Sequence, residues 1–373
     1  MKIHVVSFHV PYPPNYGGAV DVFYKLKALQ RAGYSIVLHT FLYDGEAHEA
    51  LESLCERVYY YPRHTGLLRQ FSLLPYNVVS RQDDQLLAHL LSDDSPILFE
   101  GLHTCGYLAD PRLKGRMKMV RMHNIEHDYY LRLAQQTRGW RQLYLRLEAA
   151  RFERFQPILR HADVIFAIST TDQAYLAQQF PQQQVRLLPC FFDDTFVEAE
   201  GDTEPYLLYH GNLAVAENVA AVRHIIQSVL PLMAPSGSVR LLVAGRNPSP
   251  ALRRWVHEGS GVKLIANPTQ EELDSLVEKA RVNLLFTFQP TGIKLKLLHS
   301  LVKSRGYCVA NDMMLQGNNL GELCQVANTP KEQATLLTQL LQSTPSADEI
   351  RARQQRLQQL GYNTVKPISE CFI

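Results

Sequence analysis

Residues 282–311 read "VNLLFTFQPTGIKLKLLHSLVKSRGYCVAN", and their pattern decides the fold. Val282 to Phe288 is a near-continuous apolar run of strand length, and Gln289-Pro290-Thr291-Gly292 breaks it. Leu295, Leu298 and Val302 then recur at helical spacing, and "YCVAN" follows as a second short strand. A strand, a helix and a strand, with both strands apolar throughout, predict a parallel pair covered on both faces. Lys296, His299 and Ser300 sit three and four residues apart, on a face other than the apolar stripe. A helix that opens just after a strand suits an anion, because its free N-terminal amides and its dipole both favour negative charge there.

The same alternation runs outward through the chain. "IHVVSF", "SIVLHTF", "RVYYY", "PILFE", "KMVRM" and "DVIFAIS" are strand-like runs in the first half. "YLLYHG", "VRLLVAG", "VKLIAN", "VNLLFTF" and "YCVAN" are their counterparts in the second. Helical patterns separate them, so the expected architecture is α/β with two Rossmann-like, doubly wound parallel sheets. The expected division is residues 1–192 as the first domain, 193–205 as a linker rich in acidic and small residues, and 206–345 as the second domain. Residues 346–373 are expected to form a polar helix and a tail that packs back on the first domain.

The 373 residues suffice for two domains with separate cores, and a formal net charge of +2 gives no reason to expect nucleic acid as a partner. Six scattered cysteines lack zinc-ligand spacing, the usage of a reduced, cytoplasmic protein. The opening "MKIHVVSFHVPYPP" reads as a first strand rather than a signal peptide, and no run reaches the ~18 apolar residues of a membrane span. The Asp pairs 93–94 and 193–194 fall in expected loops and read as turn residues, so no metal is expected.

Ligands of doubly wound domains lie beyond the carboxyl ends of the strands. Gly17 and Gly18 follow the first strand, where either a tight turn or close approach of a ligand explains them. His103 follows the fourth strand, and His123 and Asn124 follow the fifth. In the second half Gly211 and Asn212 end one strand and Arg246 ends the next; a glycine admits a diphosphate and an arginine pairs with it. Thr291, Gly292 and Ile293 offer amides at the helix start, and Lys294 and Lys296 add charge. Residues 138–160 carry Arg138, Arg141, Arg146, Arg151, Arg154 and Arg160 against two glutamates, with Leu143, Leu147, Phe155 and Leu159 as a core side. A solvated helix face explains that stretch; a basic surface for an anionic, lipid-linked acceptor at the inner membrane face is the sharper reading.

These segments in this order resemble the GT-B glycosyltransferases, in particular glycosyltransferase family 4. The resemblance rests on "PPNYGG", "RAGYSIVLHT", "HNIEHDYY" and "HADVIFAIST" in the first half, and on "YHGNL", "VAGRNPSPALRRWV" and "TGIKLKLLHSLVKSRGYCVAN" in the second. It implies two domains facing a cleft and transfer of a sugar from a nucleotide-sugar to a glycan or lipid-linked acceptor, with retention and without metal. It further implies that His103 contacts the transferred sugar, that Gly17 and Gly18 lie near donor phosphate and acceptor, and that backbone at Ala266 and Asn267 receives the base. His123 and Asn124 would lie on the acceptor side.

The chain departs from the family where two glutamates seven residues apart are usual, because Thr291 and His299 stand at those positions. Asn212 and Glu217 occupy the neighbourhood where the family tends to place an Arg and a Lys on the diphosphate. Lys296 keeps the family's lysine, and His299 is the expected substitute contact to the ribose. Two rival readings follow: a GT-B protein that binds without catalysing, and a nucleotide-sugar epimerase.

Overall fold

The computed structural model describes residues 1–14, 16–42, 48–233, 239–257, 261–288 and 294–372. They form two compact units, Met1–Phe192 with Tyr362–Ile373, and Asp193–Gly361.

In the first unit the strands are β1 (Lys2–Val6), β2 (Ser35–Leu42), β3 (Arg57–Pro62), β4 (Ile97–Glu100), β5 (Lys118–Arg121), β6 (Val164–Ala167) and β7 (Gln184–Leu187). They make a seven-stranded sheet in the order β3-β2-β1-β4-β5-β6-β7, and every pair is parallel. Alternate residues serve opposite faces, as the strand period requires. Val6, Phe99, Val120 and Ile165 enter one apolar layer, while Val5, Leu98, Met119 and Val164 enter the other.

In the second unit the strands are β8 (Glu204–Asn212), β9 (Arg240–Arg246), β10 (Val262–Ala266), β11 (Ala280–Leu285), β12 (Tyr307–Ala310) and β13 (Gln325–Val326). Their order is β10-β9-β8-β11-β12-β13, again parallel throughout. In both sheets the order reverses once, between β1 and β4 and between β8 and β11. Ligands of doubly wound sheets bind at such a reversal, beyond the carboxyl ends of the strands.

All eleven apolar runs become strands, and the edge strands β7 and β13 are additional. These two escape a search for continuous apolar runs, since β7 is only partly covered and β13 is exposed. Residues 193–201 are fastened along the second unit: Val197 N donates to Val302 O at 3.2 Å, and Lys303 Nζ donates to Thr195 O at 2.8 Å. The polar helix Ala347–Gln359 also belongs to that unit, while Val365 and Ile368 pack into the first unit's core with Leu188 and Phe191.

One expectation about packing holds only in part. Phe155 and Leu159 are buried in the core as expected, but in the helix Trp140–Phe155 Leu143 and Leu147 face solvent, and Leu145, Ala149 and Phe152 turn inward instead. The helix buries Glu148 and Arg151 as a pair at 2.6 Å, which turns the leucine stripe outward.

Candidate functional site

In the first unit the residues after β1, β4 and β5 converge. Gly101 ends β4 at φ +75°, a left-handed conformation that favours glycine, and a Cβ there would lie 3.3 Å from His103 Nδ1 and 3.6 Å from His123 Cδ2. The Phe8 ring stands 5.2 Å from His123 and 6.0 Å from His103 between centroids, and stacks on His9 at 4.5 Å. A Cβ on Gly18 would meet Phe8 Cζ at 2.8 Å, so Gly18 makes room for that ring at the start of the helix Gly17–Arg31. The expected residues Gly17, Gly18, His103 and His123 thus belong to one edge, with His9 and Phe8 added.

Beneath this edge lies a buried ionic network. Lys25 Nζ donates to both Glu100 oxygens at 2.7 Å, and His123 Nε2 donates to Glu100 Oε2 at 2.9 Å. Arg121 Nη2 stands 3.4 Å from Asp21 Oδ2, and Phe191 N donates to Asp21 Oδ1 at 2.7 Å. Burial alone would raise the Glu100 carboxyl, but Lys25, His123 and Arg121 outweigh it and hold it at about 2. Asp21, Glu100 and His123 bring ligand atoms within 4.8 Å of one another, the spacing of a metal site. Lys25 and Arg121 already supply the positive charge at those carboxylates, so the arrangement fits an internal ion-pair network and does not fit a divalent cation.

The groups above the network are neutral. Burial, helped by the Arg81 charge, pushes His9 down to about 3, and both its ring nitrogens are buried with no hydrogen-bond partner among the described residues. His103 is also held well below the usual imidazole range, by burial and then by Arg81, although 18% of its side chain stays exposed. Its Nε2 lies 3.6 Å from Glu126 Oε2. Burial raises the Glu126 carboxyl to about 8; Asn124 approaches it without the geometry of a full hydrogen bond and only trims that rise. Neutral imidazoles and a protonated carboxyl both donate and accept, which suits ligand hydroxyls better than a full charge. Buried polar atoms without partners are rare and mark places where a ligand or water completes the bonding.

In the second unit the expected residues gather at the ends of β8, β9 and β10. Gly211 pairs with Gly245, and Asn212 with Arg246. A Cβ on Gly245 would fall 1.9 Å from Gly211 O, so these strands need glycine for their own close approach. Asn212 Oδ1 caps the next turn through Ala214 N at 3.1 Å, and its carbonyl accepts from Asn218 Nδ2 at 2.9 Å. Asn247 and Asn267 both adopt left-handed φ, 54° and 53°, and Asn267 Oδ1 accepts from Asn247 N at 2.7 Å. Arg246 is exposed beside them.

The helix after β11 runs Leu295–Lys303 and buries Leu297, Leu298, Leu301 and Val302. Thr291, Gly292 and Ile293 lie outside the described residues. Lys296 Nζ donates to Asn218 Oδ1 at 2.7 Å and to Tyr209 OH at 3.0 Å, and stands 4.8 Å over the Tyr209 ring. Burial lowers its ammonium to about 8, partly opposed by Glu217, and burial lowers Lys294 as well. His299 Nε2 donates to Asp274 Oδ1 at 2.7 Å, and Ser300 is buried against His210 at 3.0 Å. Lys296, His299 and Ser300 therefore share no partner.

Sequence reasoning did not single out His9, Glu126, Tyr209, Asn218 or Asp274. A signal existed for His9, the first polar residue of its loop with ring chemistry, and for Glu126, the acid that opens the helix Glu126–Gln135.

No protein-family model matches the chain. It is 25% identical over 348 residues to an uncharacterized 44.6 kDa protein in the cps region of Klebsiella pneumoniae, covering 88% of this chain and 87% of that protein. Among solved structures it resembles a trehalose-6-phosphate protein from E. coli bound with UDP-2-fluoro glucose, with TM-score 0.65, 14% identity, and 100% and 98% of the two chains covered. It also resembles sucrose-phosphate synthase from Thermosynechococcus elongatus, with TM-score 0.63, 18% identity, and 97% and 95% covered. The two parallel-sheet α/β units, of seven and six strands, have the GT-B fold of these neighbours.

Proposed function

We propose that this protein is a glycosyltransferase of the family 4 kind, moving a sugar from a nucleotide-diphosphate sugar to a glycan or lipid-linked acceptor with retention and without metal. The observation that carries the reading is Lys296, a partly buried ammonium held by Asn218 and Tyr209 in the first turn of the helix after β11. That is the edge where a parallel sheet receives ligands, and a lysine there stabilises the charge that a departing diphosphate gains in the transition state. The GT-B fold supports the same reading, as does a neighbour bound with UDP-2-fluoro glucose.

On this reading His299, oriented by Asp274, meets the ribose in place of a carboxylate, and the backbone at Asn267 meets the base. Gly211, Asn212, Arg246 and Lys294 flank the diphosphate. On the first unit His103, with His9 and Glu126, meets sugar or acceptor hydroxyls, and His123 and Asn124 stand on the acceptor side. Glu126 is protonated near neutral pH and serves as a hydrogen-bond donor there.

A second reading, binding without catalysis, draws on His299 standing where the family has a glutamate. Thermal-shift screening against UDP, GDP, ADP, CMP and their sugars, with and without EDTA, tests the donor site. The expected result is stabilisation by one nucleoside diphosphate, indifferent to EDTA and lost in Lys296→Met. Product analysis by mass spectrometry then separates the readings: a glycoside supports transfer, an epimerised donor or an unchanged one opposes it. Stabilisation by none of the nucleotides would overturn the donor site itself.

A further inference from the structure

The first unit carries an apolar surface that its own core does not use. Leu67, Leu68, Phe71 and Leu73 each leave at least three quarters of their surface exposed, within seven residues of chain. Trp140 is 88% exposed, and Leu143 and Leu147 continue its stripe at helical spacing. Solitary exposed leucines are ordinary, but a cluster of this kind marks an interaction surface.

The two segments are fastened together from beneath. Arg151 Nη2 donates to Gln70 O at 2.8 Å, and Tyr76 N donates to Glu148 Oε2 at 2.9 Å. Arg69 Nη1 turns inward to Val79 O. The polar groups of the Leu67–Phe71 turn therefore anchor its backbone, while its apolar side chains stay outside. Along the start of the helix Trp140–Phe155 the charge has one sign. Residues 138–147 include Arg138, Arg141 and Arg146, all exposed, and no acidic residue. The nearest carboxylate on that helix, Glu148, is buried and neutralised by Arg151.

Leucine, phenylalanine and tryptophan side chains next to arginines are the composition of a surface that enters the headgroup–acyl boundary of an anionic bilayer. Among the described residues no helix is long and apolar enough to cross a membrane, so the contact is peripheral. We infer that Leu67–Leu73 and the first two turns of the helix Trp140–Phe155 form a docking surface for anionic phospholipid bilayers. The inference uses no step of the proposed transfer, so vesicle binding and sugar transfer can fail separately.

Trp140 reports on it directly, because the chain has only one other tryptophan, Trp255. Full-length Trp255→Phe protein is titrated with phosphatidylcholine vesicles, with and without phosphatidylglycerol, by tryptophan emission and co-sedimentation. The expected result is a blue shift and saturable binding on the anionic vesicles only, weakening as salt rises. Leu68→Ser with Phe71→Ser, both exposed positions, should weaken binding by about a hundredfold or more, the loss of two inserted apolar groups, with an unchanged melting temperature. Arg141→Gln with Arg146→Gln should remove the preference for anionic lipid. Absence of binding to anionic vesicles, or binding that the serine pair leaves intact, would overturn the inference. A dimer in solution that the serine pair returns to monomer would overturn it as well, by assigning the surface to a second copy of the chain.

Discussion

Lys25 holds its ammonium 2.7 Å from both oxygens of Glu100, and neither side chain is reached by solvent. The pair links the helix Gly17–Arg31 to the end of β4, directly under Gly101 and His123. Removing one member of a buried pair leaves an uncompensated charge, which typically costs ~3–5 kcal/mol. Lys25→Met and Glu100→Gln should each destabilise the first unit by about that amount. The double variant should lose clearly less than the sum of the two, since no bare charge remains. Chemical denaturation of the three variants measures this, and strict additivity would refute the coupling.

Glu126 predicts a pH dependence of opposite sense to that of an ordinary surface carboxylate. Its carboxyl is raised by burial from 4.5 to about 8, so the folded chain binds a proton that the unfolded chain has released between those values. The contribution to stability is complete below 4.5 and is lost as pH climbs through about 8, over a range worth a few kcal/mol. Glu126→Gln, which keeps the shape and cannot ionise, should match the parent near pH 4.5 and exceed its melting temperature at pH 9. Parallel melts at the two pH values test the difference between variants, which isolates Glu126 from every other titrating group.

The readable parts of this chain are those in which neighbours in sequence are also neighbours in function. β1, β4, β5 and β6 announce themselves because a strand buried on both faces is apolar throughout. The place of Lys296 is legible because the helical spacing of Leu295, Leu298 and Val302 sets it in the first turn of a helix after a strand. Asp21 and Lys25 also interrupt an apolar helix, yet their partners Glu100 and Arg121 come 75 and 100 residues later, a distance that local spacing does not report. The misreading of Leu143 and Leu147 has the same origin. Hydrophobicity says that a residue avoids water in the free chain, and the buried Glu148–Arg151 pair decided which side of that helix turned inward. A Cβ on Gly211 would meet the Asn218 side chain at 3.1 Å, whereas one on Gly245 would crowd the Gly211 carbonyl itself.

That crowding gives the third prediction. Gly245→Ala would set a methyl 1.9 Å from Gly211 O, a backbone atom that moves only if β8 and β9 separate. Overpacking of this kind costs roughly 1–3 kcal/mol, and the β8–β9 ladder should lose hydrogen-exchange protection with it. A substitution to alanine at Gly66, which has open space around it, serves as the control and should leave both measurements unchanged.

Lys296 supplies the prediction that reaches the proposed donor site. Its ammonium is lowered to about 8, mainly by burial, so near pH 7 it is charged but within reach of losing its proton. A bound diphosphate favours the charged form, hence affinity should be flat below pH 7 and fall as pH rises through about 8, approaching tenfold per pH unit beyond it. A charge-assisted hydrogen bond contributes ~1.5–3 kcal/mol, so Lys296→Met should weaken nucleotide binding by about 10- to 100-fold at pH 7. The variant should also lose the break near pH 8, because no proton is then taken up on binding. Titration calorimetry in buffers of different ionisation enthalpy measures that proton uptake. If wild-type affinity holds steady from pH 7 to 9.5, Lys296 does not touch the phosphate, and the charge of the donor must be met by Arg246 or by helix amides alone.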